Sequence, residues 1–169
     1  MANMIPISTI VLASTSATIS FTSIPQGYTD LLVKVSARST AGNGSYLAVI
    51  INGSSTSFNS RVLYGNGSSA GSYAGSGNDR QYAGYISAST SSTSMFSNTE
   101  IYFPDYTSAN NKSFSSDSVG ENNATGVEMG ISAGLWSQTA PITSITFDIF
   151  DAGDFVPYTT ATLYGIRKY

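Results

Sequence analysis

A two-residue alternation of apolar and polar side chains recurs along most of the chain, and it narrows the possible folds more than any other feature. In 30–38, Leu31, Val33, Val35 and Ala37 share one parity, while Lys34, Ser36 and Arg38 share the other. Leu47, Val49 and Ile51 alternate with Tyr46, Ala48 and Ile50, and Ile101 and Phe103 with Glu100 and Tyr102. Val127, Met129, Ile131 and Ala133 alternate with Glu128, Gly130, Ser132 and Gly134. Ile145, Phe147 and Ile149 oppose Ser144, Thr146 and Asp148. Side chains on a strand point to opposite faces in turn, so each segment predicts a strand with its apolar set inward and its polar set outward. No window carries an apolar stripe at helical spacing.

Weaker strand candidates fill the gaps at Ser8–Ala13, Ala17–Ser23, Ser57–Leu63, Gln81–Ala88, Lys112–Val119 and Thr160–Arg167. Some 8–11 strands separated by turn signals predict an all-β, jelly-roll-like antiparallel β-sandwich with essentially no helix. An up-and-down barrel is the other all-β arrangement. Asn-Gly at 43–44, 52–53 and 66–67 predicts tight hairpin turns, because both residues of a type I′ turn need positive φ. The Gly/Ser-rich stretches 65–79 and 104–111 read as long crossing loops, with 68–76 and 89–94 flexible. The 169 residues predict a single domain. Residues 1–14 form either its edge strand or an arm that reaches a neighbouring subunit.

Composition then removes most chemistry. With no Cys and no His, disulfides, thiolate or imidazole metal ligation, and His-dependent nucleophilic catalysis are all excluded. Only 10 % of residues are charged, against about 25 % in an ordinary soluble domain. Ser, Thr and Asn supply 30, 18 and 11 residues instead. A hydrophobic fraction of 41 % still provides enough apolar surface to offset the entropy of ordering. A low-charge, hydroxyl-rich surface suits packing against other subunits, since little charge must be desolvated on contact. Net charge −3 argues against a nucleic-acid partner. No run reaches the roughly 20 apolar residues of a membrane helix, and Met1–Pro6 lack the basic and long apolar regions of a signal peptide. The Asn-x-Ser/Thr triplets at Asn43, Asn52, Asn66, Asn111 and Asn123 are accordingly read as turn chemistry.

Few residues are candidates for a site. Asp148, Asp151 and Asp154 are the only grouped acids of a kind that bind Ca²⁺, but they lack EF-hand spacing, and no metal or other cofactor is expected. Glu100 with Asp105, or Glu121 with Glu128, are the carboxylate pairs a glycosidase would need. Acids on outward strand faces are ordinary solubilising groups, so no enzyme is expected. The glycines of 65–72 lack the Lys and helix of a phosphate loop. Trp136 stands at a strand end, either as a hydrophobic plug or as an exposed face for a sugar ring, and the plug is favoured. Met4, Ile5 and Ile7 are the apolar residues of the N-terminal stretch and the candidate partner contacts.

The segments SFTSIPQGYTDLLVKVSARS at 20–39, ING at 51–53, NSRVLYGNGSSA at 59–70, ITSITF at 142–147 and ATLYGI at 161–166 resemble small bacteriophage virion structural proteins of marine and freshwater phages. These blocks span, with interruptions, most of the chain from about Ile19 onward. The resemblance implies a jelly-roll-like sandwich, commonly trimeric, placed on the capsid or the tail, with no catalytic residues. The expected role is a capsid decoration (cement) protein that binds the major capsid protein on the outer surface of the virion. The alternative is a tail-fibre module recognising a host surface glycan through Trp136 or the Tyr-rich region 64–85.

Overall fold

The computed structural model describes residues 3–42, 45–76, 80–121, 127–150 and 153–167, without the side chains of Ser76 and Glu121. Twelve strands form among them: β1 (Asn3–Val11), β2 (Ile19–Phe21), β3 (Asp30–Ala37), β4 (Ser45–Ile51), β5 (Phe58–Gly65), β6 (Ala70–Ser76), β7 (Gln81–Ile86), β8 (Ser97–Phe103), β9 (Lys112–Glu121), β10 (Val127–Trp136), β11 (Ile145–Ile149) and β12 (Thr160–Arg167). They pair antiparallel in two sheets, eight-stranded β1-β12-β3-β8-β9-β10-β5-β6 and four-stranded β2-β11-β4-β7. The all-β sandwich read from the alternation is therefore the fold, and no helix forms among the described residues. Its twelve strands exceed the expected eight to eleven. The added one, β6, lies inside the stretch 65–79 read as a loop. Ala-Gly-Ser-Tyr-Ala-Gly-Ser carries no alternating apolar signal, and only the backbone ladder to β5 makes it a strand.

Within 1–14, Asn3–Val11 forms β1, which pairs along its length with β12 at the edge of the large sheet. A bulge at Ile7, between Pro6 and Ser8, breaks the register, and Pro plus bulge blunts an edge against further pairing. The 52–53 turn has the positive φ values expected, 52° at Asn52 and 64° at Gly53. It is not a hairpin, however, because β4 and β5 lie in different sheets. The Asn52 side chain instead accepts from the amides of Thr143 and Ser144 at 2.8 and 3.0 Å, tying the turn to the β10–β11 connection. At 66–67 the hairpin is real but has four loop residues, with Asn66 Oδ1 accepting from the Ser68 and Ser69 amides. The turn predicted at Asn43 and Gly44 lies outside the described residues.

The connection 104–111 joins neighbouring strands β8 and β9, so it is not a crossing loop. Segment 89–94 is irregular, as expected. It is also tied down: the Arg38 guanidinium donates to the carbonyls of Ser89, Ser91, Ser92 and Met95 at 2.8–3.1 Å.

The central core lies between β12-β3-β8 and the small sheet. Leu31, Val33, Val35, Ile101, Phe103, Ala161 and Leu163 meet Leu47, Val49, Ile51, Ile145 and Phe147, all at most 1 % exposed. At one end of it Asp30, 1 % exposed, accepts from Tyr102 Oη at 2.8 Å and from the Asp105 amide at 3.0 Å. Burial first, then the facing Asp30 carboxylate, pushes the Tyr102 phenol up to about 12. A folded pKa above the free value of about 10 means that this contribution is whole below pH 10 and lost as pH rises through 12. Tyr102→Phe is therefore expected to melt below the wild type at pH 9, with the gap narrowing by pH 12. A gap that stays constant across that range would contradict the linkage.

Candidate functional site: a tyrosine cleft behind an apolar sheet face

The inner face of the large sheet changes character along its width. One inner row reads Leu163, Val33, Ile101, Ser116, Ser132, Val62, Tyr73; the next reads Ile10, Ala161, Val35, Thr99, Ser118, Gly130, Tyr64. Large aliphatics lie under β12 and β3, small residues under β9 and β10, and tyrosines under β5 and β6. The small residues mark where β7, an edge of the other sheet, lies directly against β9 and β10. A Cβ on Gly130 would stand 2.9 Å from Tyr82 Oη, one on Gly120 2.4 Å from the Tyr85 ring, and one on Gly134 2.1 Å from the Phe114 ring. Serine hydroxyls complete the contact. Tyr85 N–H donates to Ser118 Oγ at 3.0 Å, Ser132 Oγ donates to the Tyr82 carbonyl at 3.1 Å, and Ser116 and Ser132 are 2.5 Å apart. Side chains of one sheet thus satisfy backbone groups of an edge strand in the other, which disposes of an edge otherwise open to pairing.

This contact corrects the sequence reading of β10. Gly130, Ser132 and Gly134 face inward, and Val127, Met129, Ile131 and Ala133 face out. The period is right and its sense is inverted, because β7 approaches too closely for branched side chains to fit between the sheets. On the outer face, Val119 pairs with Met129 and Ile131 with Leu63. Exposures of 42, 51, 49 and 60 % leave them a continuous apolar patch, extended by Val127 and Leu135. The row through Ile131 runs Thr9, Thr162, Lys34, Glu100, Asp117, Ile131, Leu63, Ser72 across all eight strands. Its first half is hydroxyls and a Lys34–Glu100 ion pair at 3.0 Å. Along this row the outer face is polar from β1 to β9 and apolar at Ile131 and Leu63.

Beyond β10 the large sheet curls past β7, so the inner face of β5–β6 meets the outward face of β4–β7. Five tyrosines form a chain there. Ring centroids are 6.2 Å apart for Tyr64–Tyr73, 5.8 Å for Tyr73–Tyr82, 5.3 Å for Tyr82–Tyr46 and 6.1 Å for Tyr46–Tyr85. Tyr82 and Tyr85 are buried, whereas Tyr46, Tyr64 and Tyr73 are 37–43 % exposed. The rings border two cavities of about 290 and 380 Å³ that meet at Tyr46, Tyr73 and Tyr82. Asn66, Glu128 and Met129 line the first, and Ser60, Gly75, Arg80 and Phe150 the second. Arg80 is ion-paired with Asp148 and lies 5.6 Å over the Phe150 ring. Burial, followed by the neighbouring phenols, raises the Tyr73 and Tyr82 pKa values above the ordinary tyrosine value. Tyr73 and Tyr82 therefore stand in the cleft as neutral phenols.

Of the candidates singled out in the sequence, Trp136 is 3 % exposed and stacks on Phe58 at 6.5 Å. It is the plug, and no face of it is open to a sugar. Met4 is exposed and Ile5 half-buried on β1. Ile7 is partly buried and packs against the core. Glu100 pairs with Lys34, and Asp105 turns the chain at positive φ with its amide on Asp30. The second acid pair cannot be placed, since the Glu121 side chain lies outside the described residues, as do Asp151 and Asn123. Asp148 is held by Arg80, and no group of three metal-ligating side chains occurs among the described residues. Tyr46 is not legible as a partner of the 64–85 tyrosines, because the pairing of β4 with β7 brings it beside Tyr82 and Tyr85. No helix among the described residues is long and apolar enough to cross a membrane. No protein-family model, curated protein or solved structure matches the chain.

Proposed function

We propose that the chain is a non-enzymatic structural protein of a bacteriophage virion, a decoration protein that lies on the outer capsid surface and clamps the major capsid protein. The observation that carries this reading is the patch of exposed apolar side chains on one half of a sheet face. A protein that rests on a shell needs one face to bury and one to leave in water, and contiguous exposed apolar surface marks interaction sites. The patch holds Leu63, Val119, Met129 and Ile131, whose side chains are covered without desolvating a charge, and the charged Asp117 and Arg61 lie at its flank. We take the exposed apolar residues of β9, β10 and β5 as the main contact surface, beside the Met4, Ile5 and Ile7 contacts expected from the sequence.

The strand order supports the same reading. Setting aside β5, β6, β9 and β10 leaves β1-β12-β3-β8 against β2-β11-β4-β7, with the chain passing between sheets as in a jelly roll of two Greek keys. The four remaining strands extend one sheet, carry the apolar patch and supply Tyr64 and Tyr73 to the cleft, whose Tyr46, Tyr82 and Tyr85 stand on β4 and β7. Three copies, the oligomer that the sequence resemblance implies, would bind with the avidity of a multivalent ligand. A ligand that binds only the assembled shell stabilises it by mass action.

Antibodies against the chain, gold-labelled and applied to intact particles of the phage that encodes it, are expected to decorate heads. Label confined to tails or fibres would overturn the decoration reading.

A further inference from the structure

We propose that the tyrosine cleft is a binding site for a neutral saccharide, and that it works independently of the outer apolar face. The two features lie on opposite faces of the same β5–β6 hairpin, with Met129 of β10 bordering both: Leu63 and Ser72 point out, and Tyr64 and Tyr73 point into the cleft.

Three properties of the cleft select this ligand. A sugar ring has an apolar C–H face and a rim of hydroxyls, and needs flat hydrophobic surfaces beside donors and acceptors. Tyr46, Tyr64 and Tyr73 offer half-exposed ring faces, and each carries a hydroxyl that both donates and accepts. Tyr64 lies over Gly71, where a Cβ would come within 2.6 Å of its Oη, so the glycine lets the ring lie flat against the strand. Secondly, the cleft is electrically quiet. Its described cation, Arg80, is ion-paired with Asp148. A phosphate-rich ligand would find no uncompensated positive charge there and would face Glu128; single-stranded nucleic acid needs such charge along its backbone. Thirdly, the planar polar groups Asn66, Glu128 and Arg80 stand at the cavity walls, where the convergence of a few polar groups on an aromatic pocket is what fixes a ligand's orientation. A purely apolar guest would bury the phenol hydroxyls without partners. Each cavity is close to the size of a small-ligand pocket, about 300–1,000 Å³, and their junction at Tyr46, Tyr73 and Tyr82 suits adjoining sugar units.

Native gel electrophoresis through gels containing dextran, mannan or galactan tests this, followed by calorimetry with an oligosaccharide of the polymer that retards the protein. The wild type is expected to be retarded by at least one of the three. Tyr64→Ala and Tyr73→Ala are each expected to weaken binding about tenfold through loss of one aromatic contact, with Tyr73→Phe intermediate. Tyr158→Ala, a 77 % exposed tyrosine beside Leu12 on the other edge of the sheet, should bind as the wild type does. Melting curves check folding, and Tyr64, exposed at the cleft mouth, answers the question even where the Tyr73 variant unfolds. Retardation by none of the polymers, retardation unchanged in both alanine variants, or binding of poly-L-proline without any polymer would overturn the proposal. None of these outcomes bears on shell binding, so the two readings fail separately.

Discussion

Lys112→Met is expected to cost about 3 kcal/mol of stability and to lower the melting temperature by about 6–12 °C. Lys112 opens β9 on its inner face, opposite Trp136 in register, and is 1 % exposed. Its ammonium donates to the carbonyls of Ser108 at 2.7 Å, Asn110 at 2.5 Å and Thr139 at 3.3 Å. These acceptors come from the β8–β9 turn and from the β10–β11 connection, so one side chain fastens two loops to the end of the sheet. Burial lowers the lysine pKa from its ordinary value, and the three carbonyls are what hold the charge in place. Methionine keeps much of the stem volume and leaves three acceptors without a donor. A hydrogen bond to a charged group contributes about 1.5–3 kcal/mol, and an orphaned buried acceptor costs about 1–3 kcal/mol. Urea denaturation measures the difference. A change within about 0.5 kcal/mol, the range of an inert surface site, would show that the carbonyl cage does not hold the loops.

Ile131→Glu is expected to leave the fold nearly unchanged and to weaken shell binding at least a hundredfold. Ile131 is the centre of the apolar patch, between Leu63 on β5 and Asp117 on β9. At 49 % exposure it contributes mainly one cross-strand pair, worth about 0.2–1 kcal/mol. A carboxylate there would have to be desolvated on docking beside a second acid. An unpaired charge at an interface costs several kcal/mol, and each 1.4 kcal/mol is tenfold in Kd. Matching melting curves with lost binding is the expected pair of results. Unimpaired binding would remove this face from the contact.

The contrast between β10 and the central strands shows how much of this is legible in the sequence. In β3, β4, β8 and β11 the alternation gives both the strand and its inward side, because a thick aliphatic layer lies against them. In β10 it gives the strand and the wrong side. The side is fixed by β7 approaching to where Gly130 and Gly134 leave no room for a Cβ, and that approach is set by elements distant in sequence. The apolar alternation of Val127, Met129 and Ile131 thus marks the outer face, not the core. Burial of Trp136 follows from its place at a strand end. The tyrosine cleft is half legible: the density of Tyr in 64–85 marks it, but Tyr46 joins only through the β4–β7 pairing. Asn52-Gly53 is a turn in both readings, yet local chemistry sets only its φ values, and the destination of the next strand depends on which sheet has an open position. β6 leaves no apolar trace, since its ladder to β5 needs only backbone.

Co-sedimentation of the purified protein with heads stripped of it, with separated tails run alongside and the disruption temperature of the particles followed, tests the central claim most directly. The account predicts saturable binding to heads, a raised disruption temperature on occupancy, and loss of both with Ile131→Glu. Binding to tails and not to heads, or binding to heads that leaves the disruption temperature unmoved, would contradict it.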